Sequence, residues 1–263
     1  MLTLQAVKAP RARTKFELVS LIEKLLGAGL KNKDVLVVSS KYVAISEGST
    51  VALDSVKPRA KAKELARTYH MDKRLCELVL RESDVLVGGI PGFLLTSREG
   101  LFTPNAGIDK SNIEHGRVVL YPRRPELSAQ RIREALRFDL GVDIAVVICD
   151  SRLMPTRRGT VGVALAASGL EAVVDLRGKT DLFGNVLRVT SQAIADDLSS
   201  SAQLLMGESD EATPMVLIRG LNEDLFRDVS YSSSTFSIPM DEDVYLRSLG
   251  HKRASLTGDH IPF

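Results

Sequence analysis

The reading of this chain turns on IAVVICDSRLMPTRRGTVGVALAASGLEAVVDLRGKTDLFGN, Ile144 to Asn185. The stretch opens with an apolar run, Ile144 to Cys149, that reads as a buried strand and ends on Asp150 and Ser151. A basic, glycine-bearing turn follows at Arg157, Arg158 and Gly159, and then a second apolar segment, Val161 to Ala167. The stretch closes on Asp175-Leu-Arg-Gly178-Lys-Thr-Asp181-Leu-Phe-Gly184-Asn185. An acid at the end of a buried strand, facing a doublet of arginines, is one way to build a site for a metal ion and phosphate. An ordinary strand end beside a solvated basic loop has the same spacing, and from spacing alone that plainer reading is preferred.

Working outward, Leu2 to Val7 alternates like a short strand. Thr14-Lys-Phe-Glu17 matches a capping box opening a helix with Phe16, Val19, Ile22 and Leu26 at helical spacing, and Gly27 and Gly29 stop it. Asp34 leads into a strand, Val35 to Val38. Ser39-Ser40-Lys41 then turns strand into helix, either an anion site or a simple N-cap. Glu47-Gly48 turns the chain into Ser49 to Leu53. Helices are expected from Pro58, from Asp72, from Ser128 to Phe138 with a stop at Gly141, and over Ile194 to Met206 capped by Gly207. Short strands are expected at Val85 to Val87, Gly92 to Thr96, Leu101 to Thr103, Val118 to Tyr121, Leu187 to Val189 and Met215 to Ile218. Ser230 to Ser237 reads as a mobile serine-rich loop, Asp241 to Gly250 as a last short helix, and 251–263 as a frayed tail. Helices and strands mix without strict βαβ alternation. The expected fold is therefore α+β: a mixed α/β arrangement of largely antiparallel sheets with flanking helices, neither Rossmann nor P-loop, since both glycine signatures are missing. One unit over 1–263 is expected, with room for two interleaved lobes.

Composition narrows the class. With 263 residues and 44% apolar content the chain can bury a substantial core. Its 35 basic and 33 acidic residues are interspersed and leave a formal charge of +2, which argues against a nucleic-acid partner. Cys76 and Cys149 each lie in an apolar periodic segment, as buried thiols in a reducing compartment do. No Cys/His cluster suggests zinc, and neither a signal-peptide core nor a membrane-length apolar run occurs. A cytoplasmic protein with no membrane partner is expected.

Three acids, Asp109, Asp150 and Glu208, stand at segment ends beside glycine or small residues. They could converge on a magnesium ion, which takes oxygen ligands, or be unrelated loop acids. Longer motifs bear on this. A D-[ST] strand end, R-R-G-x-x-G and D-x-x-G-[KR]-x-D-x-[FY]-G stand in the opening stretch. Asn105-Ala-Gly-Ile-Asp109-Lys-Ser-Asn112 and Met206-Gly207-Glu208 stand outside it. Together they resemble the coenzyme F420-0:L-glutamate ligase family, from about Asp34 to Gly220. The resemblance implies metal ligands at Asp109, Asp150, Ser151 and Glu208, and nucleotide contacts at Ser40, Lys41, Asn112, Met206 and Gly207. It further implies Mg2+ or Mn2+, GTP as co-substrate, a monovalent cation, and a homodimer. The reaction implied is γ-glutamyl ligation of L-glutamate to the deazaflavin F420-0 through an acyl phosphate, held at Arg157 or Arg158. Two rivals are the same chemistry on a folate or other pterin carboxylate, and a non-catalytic nucleotide-binding protein of the same fold. The chain departs from the family at Ala44-Ile45-Ser46-Glu47-Gly48-Ser49, where Ile45 stands at a lysine position of an S-K-A-E-G-R pattern. It departs again at Pro10 to Leu18, which lacks an acidic pair, and Arg11 and Arg13 are candidates for restoring the lost positive charge.

Overall fold

The structure, a computed structural model, describes residues 1–239 and 241–248. Two compact units form. The first takes residues 1–52 and 109–236, and the second takes 53–108 together with the described residues from 237 to 248. The first begins with β1 (Thr3–Val7), α1 (Leu18–Leu26), β2 (Val35–Ser39), α2 (Ser40–Ser46) and β3 (Thr50–Ala52). The second contains α3 (Ala60–Thr68), α4 (Lys73–Glu82), β4 (Val85–Ile90), β5 (Phe93–Arg98) and β6 (Leu101–Pro104). The first resumes with β7 (Arg117–Val119), α5 (Pro125–Leu140), β8 (Ala145–Leu153), β9 (Thr160–Leu170), β10 (Val174–Asp175) and β11 (Ser191–Gln192). It ends with α6 (Ile194–Met206), β12 (Met215–Arg219), β13 (Phe226–Tyr231) and α7 (Ser233–Phe236).

The first unit is built on a six-stranded sheet ordered β1-β12-β2-β8-β9-β13. Neighbours run antiparallel except β2 and β8, which are parallel. Strands at the centre of a sheet bury both faces and so read as unbroken apolar runs. Val35, Val37, Ala145, Val147 and Cys149 face α6, meeting Ile194, Ala195, Leu198 and Ala202. Their alternates Leu36, Val38, Val146 and Ile148 are fully buried as well. Burying one such side chain contributes about 1.5–3 kcal/mol, so these two strands anchor the unit. The second unit carries an antiparallel sheet, β4-β5-β6, beside α3 and α4. Its buried Glu77 is held by Arg59 and Arg81, at 2.8 and 2.9 Å. The α+β class with mostly antiparallel sheets is as expected.

Several boundaries differ. The capping box does not form: α1 starts at Leu18, and Glu17 makes no side-chain cap bond. Phe16 packs instead on Tyr42, ring centroids 5.0 Å apart, because burying the ring outweighs extending the helix over it. Ser128 lies inside α5, which opens at Pro125, where a proline's missing N–H costs nothing. The Ser128 hydroxyl donates to Glu47. Leu187 to Val189 is not a strand. Val189 is 88% exposed and buries nothing, and the local pairing is β10 with β11. Ser230 to Ser237 is not a free loop: β13 pairs with β9, and the buried Ser233 donates to the Leu165 carbonyl at 2.9 Å. The end of the expected Asp241 helix at Gly250, and the tail 251–263, lie outside the described residues.

Candidate active site

The main strand runs on past its apolar segment. Asp150, Ser151, Arg152 and Leu153 continue β8 in register with Val163, Gly162, Val161 and Thr160 of β9. Asp150 is therefore not the last residue of the strand, as its composition suggested, but the first polar one. Successive strand residues point to opposite faces, so Asp150 and Ser151 serve different sides of the same strand. Both line a cavity of about 600 Å³ within the first unit.

On the Asp150 side, Oδ1 accepts from Ser40 Oγ at 2.8 Å, and Arg152 Nε stands 3.3 Å from Oδ2. Arg152 is buried, with its Nη2 donating to the Tyr121 hydroxyl at 3.3 Å. Ser40 opens α2. The preceding Ser39 is the N-cap by backbone geometry but makes no side-chain cap bond. Lys41, the next residue of α2, pairs with Asp109 Oδ2 at 2.6 Å and donates to Ser111 Oγ at 2.7 Å. Asp109 is fixed by a backbone bridge to Val119, and its Oδ1 accepts from Ser111 N at 2.6 Å. Burial pushes the Asp109 carboxyl up, but the Lys41 ammonium and the Ser111 donors outweigh it and hold it below the usual carboxylate range.

On the Ser151 side, the Ser151 hydroxyl donates to Glu208 Oε1 at 2.8 Å and Thr160 Oγ1 donates to the same oxygen at 2.9 Å. Gln203 Nε2 reaches both Ser151 Oγ, at 3.1 Å, and Glu208. Glu208 follows Gly207, which ends α6 at φ 70 and ψ −176, a conformation confined in practice to glycine. A Cβ there would also lie 2.1 Å from the Glu211 carboxyl carbon. Asn112 Nδ2 donates to the Ser209 carbonyl at 2.7 Å, tying the Asp109 loop to this turn.

Ser40, Lys41, Asp109, Asn112, Asp150, Ser151, Met206, Gly207 and Glu208 thus all line one cavity. The three acids face it in separate pairings, and no group of three or more His, Cys, Asp or Glu side chains gathers among the described residues. The donors it offers are carboxylate and hydroxyl oxygens, the set that suits Mg2+ or Mn2+. The neighbouring Cys149 thiol is buried and pushed up to about 12 by desolvation, unfit as a thiolate ligand. Arg157 and Arg158 are not brought to the cavity. Because β8 extends to Leu153, they stand exposed at the hairpin tip beyond it. Arg11 and Arg13 do line the cavity. So does Ile45, only 3% exposed and packed with Ala44 and Val119 against Ala12, Phe16 and Ile113. Residues missed in the sequence are Arg152, Tyr121, Thr160 and Gln203. Arg152 had a signal, since position i+2 shares a strand face with Asp150. Gln203 had none, because its partners lie 52 and 5 residues away on other elements.

Comparison with known proteins agrees with this arrangement of motifs. A family model described as F420-0:Gamma-glutamyl ligase matches residues 6–220. The coenzyme F420:L-glutamate ligase of Methanopyrus kandleri is 42% identical over 201 residues, 76% of this chain and 80% of that protein. Its namesake in Methanothermobacter thermautotrophicus is 37% identical, covering 74% and 77%. That of Methanocaldococcus jannaschii is 36% identical, covering 78% and 83%. The matched span includes every cavity residue named above, and the chain belongs to the F420-0:gamma-glutamyl ligase family of enzymes.

Proposed function

We propose that the enzyme joins L-glutamate to the carboxylate of coenzyme F420-0, driven by GTP and passing through an acyl phosphate. The observation that carries this reading is the two-sided end of β8, with Ser40, Lys41 and Asp109 gathered on one side and Ser151 and Glu208 on the other. A carboxylate does not condense with an amine in water unless its oxygen is first made a leaving group. In this reading the acceptor carboxylate oxygen attacks the terminal phosphorus of GTP and GDP departs. The glutamate amine then attacks the acyl carbon, the C–O bond breaks, phosphate leaves and the amine gives up a proton.

Asp109, Asp150, Ser151 and Glu208 are the oxygens that would hold divalent cations, which supply positive charge against the phosphoryl oxygens. The chain's own part is placement. Ser40, Lys41, Asn112, Met206 and Gly207 grip the nucleotide, with Lys41 supplying fixed positive charge beside Asp109. Arg11 and Arg13, on the cavity wall, take the anionic oxygens of nucleotide or acceptor. Arg157 and Arg158 could reach a phosphoryl group only if the hairpin tip folded over the cavity.

The test is phosphate release and mass spectrometry with glutamate and magnesium, comparing GTP with ATP and F420-0 with a pterin carboxylate. The expected result is release that needs both glutamate and F420-0, is faster with GTP, and extends the acceptor by glutamyl mass. Release with the pterin alone would move the acceptor. No release with any combination would sink the ligase reading.

A further inference from the structure

We infer that Gln203 is a positioning residue whose amide ties Ser151 to Glu208 and sets how that pair faces a divalent cation; this rests on the cation-binding reading above. Gln203 sits in the last turns of α6, and its Nε2 donates across to Ser151 on β8 and to the Glu208 carboxylate. These two partners come from separate elements, so the amide is a cross-link between them. With Thr160 also donating to Oε1, that oxygen of Glu208 carries three donors. A cation is thereby directed to the other carboxylate oxygen.

The orientation of the amide carries the argument. Its Oε1 is buried and has no hydrogen-bond partner. Turning the amide over would set that oxygen against the Glu208 carboxylate, acceptor against acceptor. The side chain therefore leaves an acceptor unpaired in order to present its donors, an arrangement that calls for an explanation beyond packing. The backbone is shaped to allow it. A Cβ on Gly162 would lie 2.3 Å from the Ser199 carbonyl oxygen and 2.9 Å from Gln203 Oε1. Only glycine lets α6 approach β9 this closely, and Ser200 Oγ fastens the contact by donating to the Gly162 carbonyl at 2.8 Å. Gly162 is the second glycine of the R-R-G-x-x-G motif, and its place in the fold is to seat this helix turn.

The experiment is Mn2+ binding to the full chain without nucleotide, read as free Mn2+ by electron paramagnetic resonance, alongside thermal unfolding. Q203M keeps side-chain length and removes the donor. It should unfold near the parent temperature while its Mn2+ dissociation constant rises roughly 10- to 100-fold, the usual range for losing an outer-shell partner. Q203E places a second carboxylate beside Glu208. It should unfold earlier than the parent without metal and gain more from added Mn2+. An affinity unchanged in Q203M, with the parent binding normally, overturns the inference alone. A parent that binds no Mn2+ overturns the cation reading and the inference with it. Should Q203M fail to fold, a Q203E whose metal-free unfolding and Mn2+ gain both equal the parent's overturns the inference.

Discussion

Asp150 and Glu208 face one cavity from opposite sides of β8, and they are held by different means. Asp150 is held by a charge as well as a hydroxyl: the buried Arg152 guanidinium stands behind it while Ser40 donates to its other oxygen, and Asp109, on the same cavity, has Lys41. Glu208 is held by neutral donors, from Ser151, Thr160 and Gln203, and is exposed. A carboxylate beside a buried cation is part of the fold's own electrostatics. One held by hydroxyls and an amide keeps its negative charge available to something from outside. The same strand end therefore combines a structurally committed acid with a less committed one.

The largest expected effect separates the two acids. Asp150→Asn and Glu208→Gln should both abolish glutamate transfer, since a neutral amide is a poor ligand for magnesium. Their stabilities should diverge. Asp150→Asn removes the ion pair to the buried Arg152 while that guanidinium keeps its contact with Tyr121, and should cost about 1.5–3 kcal/mol, the scale of a hydrogen bond to a charged group. Glu208→Gln should unfold close to the parent temperature. Equal losses of stability would break the comparison, and near-normal transfer by Asp150→Asn would remove it from the proposed metal site.

What could be read from the sequence follows the same division. The apolar strand, the acid after it, the Asp72 cap and the Gly141 and Gly207 stops were legible, because each depends on neighbours within a few residues. The extension of β8 to Leu153 was not: Asp150, Ser151 and Arg152 are polar, and only pairing with β9 makes them a strand. The capping box at Thr14 was a sound local signal overridden by a nonlocal one, the burial of Phe16 on Tyr42. Within the cavity, Arg152 follows from strand alternation, whereas Gln203 depends on a helix seated against a glycine of a distant strand.

The second effect concerns Lys41. Lys41→Ala should weaken nucleotide binding roughly 10- to 100-fold, the equivalent of a charge-assisted hydrogen bond of about 1.5–3 kcal/mol. It should also release Asp109 from the pull that keeps its carboxyl low, so that Asp109 titrates at higher pH. Calorimetry with GTP in magnesium measures the first and side-chain carboxyl NMR the second. Ile45→Lys will not restore a lost contact. The side chain is 3% exposed within an apolar cluster, and a charge placed there should lower stability and leave affinity no better than the parent's.

The smallest effect is a control for charge-held carboxylates away from the cavity. Asp72 caps α4, its Oδ1 accepting from Arg74 N at 2.7 Å, and Arg74 Nη2 lies 2.6 Å from Oδ2. The Arg74 side-chain hydrogen bond, followed by weaker backbone bonds and charge, lowers the Asp72 carboxyl from 3.8 to about 2. A folded-state pKa below the unfolded one contributes stability that is complete above about 4 and is lost as pH falls toward about 2. Asp72→Ala should therefore cost about 1 kcal/mol near neutrality, the usual loss for a helix N-cap. Asp72→Asn keeps an equally good cap without the charge and should cost less. Both variants should lose the part of the acid dependence between about pH 4 and about pH 2 that Asp72 contributes. Neither should alter nucleotide affinity, since Asp72 does not line the cavity. Thermal unfolding across that acid range, beside the same scan of Asp150→Asn, measures it. If Asp72→Asn loses as much as Asp150→Asn at neutral pH, burial of the partner arginine is not what distinguishes the acid of the cavity.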